Sequence, residues 1–137
     1  HPGGALGSQL VTVAEIMHSG EEMPLARADT PMRDVLIEMT SKGFGIAGVV
    51  EDDRLMGVIT DGDLRRNMVD LLDRVAGDVA TKEPLTIDPG ALISAARGVM
   101  NNPDRPATCL FVVDPMAPER GPLGVVHLHD VLRASMR

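Results

Sequence analysis

Aromatic residues are nearly missing from this 137-residue chain, which has two Phe, no Tyr and no Trp. Single-stranded nucleic acid is usually gripped by stacking its bases on aromatic rings, and that device has almost nothing to work with here. Basic charge is short too. Thirteen Lys and Arg face twenty Asp and Glu, a formal net charge of −7, with the acids spread along the chain. Nucleic acid and anionic membrane both need a basic footprint, so neither is expected as a partner. No apolar run approaches the length of a membrane span, and no charged-then-apolar signal opens the chain. The single Cys109 excludes an internal disulfide; inside the apolar run from Thr108 to Val113 it reads as a small core residue. A cytoplasmic location is the expectation.

What is present is apolar and aliphatic. Hydrophobic residues make up 44%, enough for a packed core, and that core must come from Val, Leu, Ile, Ala and nine Met. The length suits one compact domain or two very small intertwined modules.

The stretch Leu55-Met56-Gly57-Val58-Ile59-Thr60-Asp61-Gly62-Asp63-Leu64-Arg65-Arg66 organises the rest. An apolar strand delivers Thr60 to the start of a helix, where it can cap free N–H groups while Asp63 answers from the third helical position. Taken alone, Thr-x-x-Asp is a capping box and nothing more. The chain makes the same shape again at Gly124-Val125-Val126-His127-Leu128-His129-Asp130-Val131-Leu132-Arg133, which marks an internal repeat.

In the first copy the pattern predicts a helical turn at 13–17, a brief edge strand at 23–26, and a helix capped by Thr30 with Pro31 at its first position. Met32, Val35, Leu36 and Met39 share one face of that helix, and Lys42-Gly43 closes it. Strands over 46–50 and 55–59 flank a four-residue turn, and a helix runs from Asp61 to about Leu72. The second copy predicts a turn at 76–80, a strand at 85–87, a helix at 89–100, strands at 108–113 and 123–126, and a last helix from about Leu128. Repeats are thus expected over 13–75 and 76–137 in an α+β fold. Half such a unit leaves one sheet face uncovered, so the two copies are expected to pack sheet to sheet with pseudo-twofold symmetry. The opening His1-Pro2-Gly3-Gly4-Ala5-Leu6-Gly7 has no period and reads as the end of something upstream.

Two strands ending in Gly-Val-Ile-Thr-x-x-Asp, preceded by an Ile-x-x-Val-Val strand and repeated once, resemble a tandem cystathionine-β-synthase (CBS) domain of βαββα type. The His-Pro-Gly-Gly opening, Ile16-Met17-His18-Ser19-Gly20 and the two segments above also resemble the C-terminal half of bacterial arabinose-5-phosphate isomerases. The resemblance implies a regulatory pair appended to a sugar-isomerase domain whose tail is residues 1–12. It assigns His1 a catalytic role in the intact enzyme only, so no turnover is expected from this chain. It implies no required cofactor, and a nucleotide or nucleotide-sugar as ligand: AMP, ATP, or the CMP-linked form of the lipopolysaccharide sugar Kdo, a sensible feedback signal. A homo-oligomer is implied as well, since packed CBS pairs commonly dimerise through their helices. The alternative is a pair that only holds subunits together.

In CBS modules the residues matching Thr60 and Asp63 hold ribose hydroxyls and phosphate. The small-residue backbone at Gly45-Ile46-Ala47-Gly48 could approach a base. Asp61 would repel a phosphate, and Arg65 and Arg66 could compensate or pair with Asp61 or Asp70 on a solvated face. In the second cleft His127 stands where Thr should be, followed by His129, Asp130 and Arg133. His127 either caps the helix or meets a ligand anion, which would make binding pH-dependent near neutrality. No third ligand stands at metal spacing to these histidines, so no metal is assigned.

Overall fold

The computed structural model describes residues 10–136; His1 and the rest of the glycine-rich opening lie outside the described residues. The first half contains α1 (Val13–Ile16), β1 (Leu25–Arg27), α2 (Met32–Lys42), β2 (Ile46–Glu51), β3 (Arg54–Thr60), α3 (Asp61–Arg66), a 3-10 segment Met68–Asp73, α4 (Ala76–Val79) and β4 (Thr81–Lys82). The second half contains β5 (Thr86–Ile87), α5 (Ile93–Met100), β6 (Cys109–Val113), β7 (Pro122–His127) and α6 (Leu128–Ser135). The repeat shows in the strand pairing. One sheet runs β1-β2-β3-β4 and the other β5-β6-β7, and each opens with a parallel pair followed by an antiparallel hairpin. Each hairpin slips register at the same place, between Val49 and Val50 and between Val112 and Val113. The fold is mixed α+β in two repeats.

The compact units do not follow the linear repeats. The first gathers Glu21–Pro84 with Pro118–Gly121; the second gathers the described residues up to Gly20, Leu85–Ala117 and the described residues from Pro122 on. Each repeat therefore gives its opening helical turn to the other repeat's unit. In the second unit Val13 is fully buried among Ile93, Leu110, Val112, Val126 and Val131. In the first, Ala76 and Val79 pack with Met32, Val35, Val49 and Ile59. A four-residue turn has no stability alone, so burying its apolar side chains is what makes it helical.

Several boundaries differ from the sequence expectation, each for a local reason. Pro31, not Thr30, sits at the N-cap of α2; the Thr30 hydroxyl instead accepts the Arg27 N–H at 2.9 Å and closes the preceding turn. The β2–β3 hairpin turns on two residues rather than four, because Asp52 and Asp53 adopt left-handed φ of 49° and 67°, a conformation short acidic side chains tolerate. α3 stops at Arg66, where Asn67 donates from Nδ2 to the Asp63 carbonyl at 2.8 Å and non-helical Asp70 follows. α5 begins at Ile93 rather than Pro89, since Asp88 accepts the Gly90 N–H at 2.8 Å and spends those residues in a turn. The strand β4 has no counterpart in the sequence expectation.

The long loop before β7 reaches the first unit through Gly121. Its φ is +73°, and an added Cβ would lie 2.2 Å from the backbone oxygen of Asp53. Gly121→Ala combines a left-handed penalty with a backbone clash, and is expected to cost about 2 kcal/mol. The check is a chemical melt beside Gly43→Ala, which shares a positive φ but meets nothing within 4 Å. Equal losses at both would mean the clash is relieved by movement of the tip.

Candidate ligand-binding site

Where β3 passes into α3, the reciprocal cap is present. The Asp63 Oδ2 accepts the Thr60 N–H at 2.9 Å and its hydroxyl at 3.2 Å. The other oxygen, Oδ1, accepts from Arg66 Nη2 at 2.7 Å and from Thr81 Oγ1 at 2.5 Å. A carboxylate offers about four lone-pair sites, and all of them are met here. Asp63 is 3% exposed. Burial works against its charge, yet the bonds from Thr81, Thr60 and Arg66 outweigh it and hold the carboxyl below the ordinary carboxylate range.

The β7–α6 junction repeats this arrangement with different donors. The Asp130 Oδ2 accepts the His127 N–H at 2.9 Å, and Oδ1 accepts from Arg133 Nη2 at 2.6 Å. His18 takes the place of Thr81, with Nε2 3.1 Å from both oxygens. Burial again opposes the charge, and the His127 N–H, His18 and Arg133 again depress the Asp130 carboxyl. His127 is a cap: its Nδ1 accepts the His129 N–H at 3.0 Å. Burial, then the neighbouring His129, push its imidazole down from the ordinary value, which suits a neutral acceptor.

A shared design becomes visible once both junctions are described. Gly57 and Gly124 hold the same place in their hairpins. A Cβ on Gly57 would lie 2.6 Å from the Thr81 carbonyl oxygen, and one on Gly124 would lie 2.9 Å from that of His18. The glycine admits the backbone of the incoming segment, and the aspartate of the same junction catches its side chain. Thr81 and His18 were missed in the sequence. The signal was there, because each stands two residues past its opening helical turn, after Val79 and after Ile16.

The remaining predicted site residues are less concentrated. Arg66 pairs with Asp63 rather than with Asp61 or Asp70, and Asp70 lies 3.8 Å from Arg74 instead. Arg65 and Asp61 are exposed, as is His129. The Ile46 and Ala47 side chains are buried in the first unit, so only backbone there could meet a ligand. β1 pairs with β2 from Gly48 onward, leaving Ile46 hydrogen-bonded on the β3 side alone within the strand ladder. Cys109 is buried, and burial followed by the charge of Asp130 pushes its thiol up to about 12. Among the described residues no group of three His, Cys, Asp or Glu could hold a metal ion, and no helix is long and apolar enough to cross a membrane.

Comparison with known proteins follows the same division. A model of the CBS domain matches residues 13–70 and again 76–137. The chain is 40% identical to the arabinose 5-phosphate isomerase KdsD of Yersinia pestis and 38% identical to that of Escherichia coli K12, each over 99% of this chain and 41% of the relative. It spans about two fifths of the length of these curated relatives. A structure of CBSX2 in complex with AMP has a TM-score of 0.74 at 22% identity, covering 91% of this chain and 96% of that one. A CBS domain pair in complex with 5′-methylthioadenosine and S-adenosyl-L-methionine has a TM-score of 0.75 at 16% identity, covering 90% and 94%.

Proposed function

The chain belongs to the CBS-domain family, as two tandem repeats, and from that premise we propose that it is the regulatory ligand-binding pair of an arabinose-5-phosphate isomerase. The ligand is a nucleotide or nucleotide-sugar, with CMP-Kdo the favoured candidate. The observation that carries this reading is the Thr60–Asp63–Thr81 cluster, two hydroxyls against one buried carboxylate. A hydroxyl both donates and accepts, so Thr60 and Thr81 can rotate off Asp63 and let a ribose diol take their place without stranding a charge. Exposed Arg65 and Arg66 stand beside it for a phosphate or a sugar carboxylate. The attached isomerase is suggested by the likeness to the arabinose 5-phosphate isomerases, and adenosine ligands by the CBS pairs of this fold that hold AMP, or 5′-methylthioadenosine and S-adenosyl-L-methionine.

One observation favours a second role, assembly. Ile37, Met68, Val69 and Leu72 are all at least 60% exposed, and α2 packs against the 3-10 segment that carries the last three. Exposed apolar side chains grouped in this way suit contact with another copy.

A thermal-melt panel with AMP, ATP, CMP and CMP-Kdo separates the two. A specific ligand at a hundred times its dissociation constant adds about 2.7 kcal/mol, an increase in Tm of several degrees. The expected result is a rise with one nucleotide class that Thr81→Val weakens. No rise with any of the four would leave assembly as the role.

A further inference from the structure

The two junctions differ in one chemically decisive place. Thr81 gives Asp63 a hydroxyl, whose charge never changes; His18 gives Asp130 an imidazole. We propose that His18 and Asp130 form a pH-responsive latch that fastens residues 11–19 to the second unit, while the Thr81–Asp63 contact is its counterpart with a donor that does not change charge near neutrality.

The geometry supports a charge-sensitive contact. Asp130 is 8% exposed, and the His18 side chain is 30% exposed, close enough to solvent to exchange a proton. The backbone holds the ring in place: the His18 N–H donates to the Val125 carbonyl at 2.9 Å and the Val125 N–H to the His18 carbonyl at 2.8 Å. Nε2 faces both carboxylate oxygens at equal distance, so an added proton turns a hydrogen bond from a neutral ring into a charge-assisted one, roughly twice as strong.

The surrounding charges agree with that sign. From α6, Arg133 opposes a second cation near Asp130, but it is 70% exposed and shared with solvent. From the end of β7, His127 spends Nδ1 on its cap, and His129 beyond it is exposed. From α1, the Glu15 carboxylate bonds the Thr12 N–H and hydroxyl. From β6, Cys109 stays a neutral thiol. The Asp130 carboxylate is the group in direct contact with Nε2. A charged ring would therefore hold the carboxylate more firmly than a neutral one, so the latch should be tightest at low pH and weaken across about pH 5 to 8, where histidines in general change charge. The lower limit is set by Asp130, which stays ionised below the ordinary carboxylate range.

Amide hydrogen exchange on the whole chain at pH 5.5 and 8, corrected for the intrinsic pH dependence of exchange, tests this. The His18 and Val125 amides should be about tenfold better protected at pH 5.5, with the paired amides of β3 and β4 unchanged. His18→Thr should abolish the difference, and Thr81→His should create one in the first unit. A flat profile in the parent, or a difference that survives His18→Thr, overturns the latch. Should His18→Thr not fold, NMR titration of the His18 ring in the parent decides instead. A ring that holds its proton no more tightly than a free histidine overturns the proposal, and one that holds it to higher pH supports it.

Discussion

Gly57→Val is expected to cost about 3 kcal/mol or more and to lower the melting midpoint by about 10 °C. Gly57 is buried in β3, and its added Cβ would lie 2.6 Å from the Thr81 oxygen and 3.2 Å from the Ala80 Cβ. Neither neighbour is a flexible side-chain end, so β4 must leave the sheet edge. The matching change at Gly124 meets the Met17 sulfur at 2.5 Å and its Cγ at 2.8 Å, which can swing aside, and the His18 backbone oxygen at 2.9 Å, farther than Thr81 stands from Gly57. Gly124→Ala should therefore cost less than Gly57→Ala. Gly98 in α5 meets nothing within 4 Å, so Gly98→Ala should be neutral or stabilising by up to about 1 kcal/mol. Denaturant melts of this series give the ranking directly, and a Gly57→Val protein as stable as the parent would show that β4 contributes nothing.

Asp63→Ala should follow closely, at about 3 kcal/mol. It removes the reciprocal cap, worth about 0.5–2 kcal/mol, and leaves the Thr60 N–H and Thr81 hydroxyl without their acceptor. Arg66→Ala should cost less than about 1 kcal/mol, because that side chain is 67% exposed and its charge is screened. The same carboxylate contributes to stability in a pH-dependent way. Its folded pKa lies below the ordinary value, so its contribution is complete above that value and disappears as pH falls through the folded one. Asp63→Asn should lower stability at pH 7 and flatten the acid limb of the stability curve. An acid limb as steep as the parent's would locate that dependence in other carboxylates.

The parts of this fold legible in the sequence are those written in short-range chemistry. The Thr60–Asp63 and His127–Asp130 caps need only neighbouring residues, and they appear where the spacing places them. The hairpins and the α2 face follow from period and turn residues. What escaped was written in competition or at long range. Asn67 ends α3 by taking the Asp63 carbonyl for its side chain, a contest that helical periodicity does not register. Thr81 and His18 are marked only by their equivalent places two residues past an opening turn, and their roles exist only once Gly57 and Gly124 have let another stretch of backbone come close. At the candidate site, the identity of Asp63 was readable, but not that its acceptor sites were already filled.

The exchange of opening turns also has a consequence for synthesis. His18 and Asp130 are 112 residues apart, and at ribosomal speeds of about 5–20 residues per second α1 waits roughly 5–20 s for the chain that will cover it. During that interval the nascent chain can assemble nearly all of the first unit, from Glu21 to Pro84, while Val13 and Ile16 remain uncovered beside it. Completion of the second unit is then a late, high-contact-order closure of one stretch upon another made 112 residues after it. Heterologous production should accordingly respond to temperature and translation rate more than to the equilibrium stability of the finished protein.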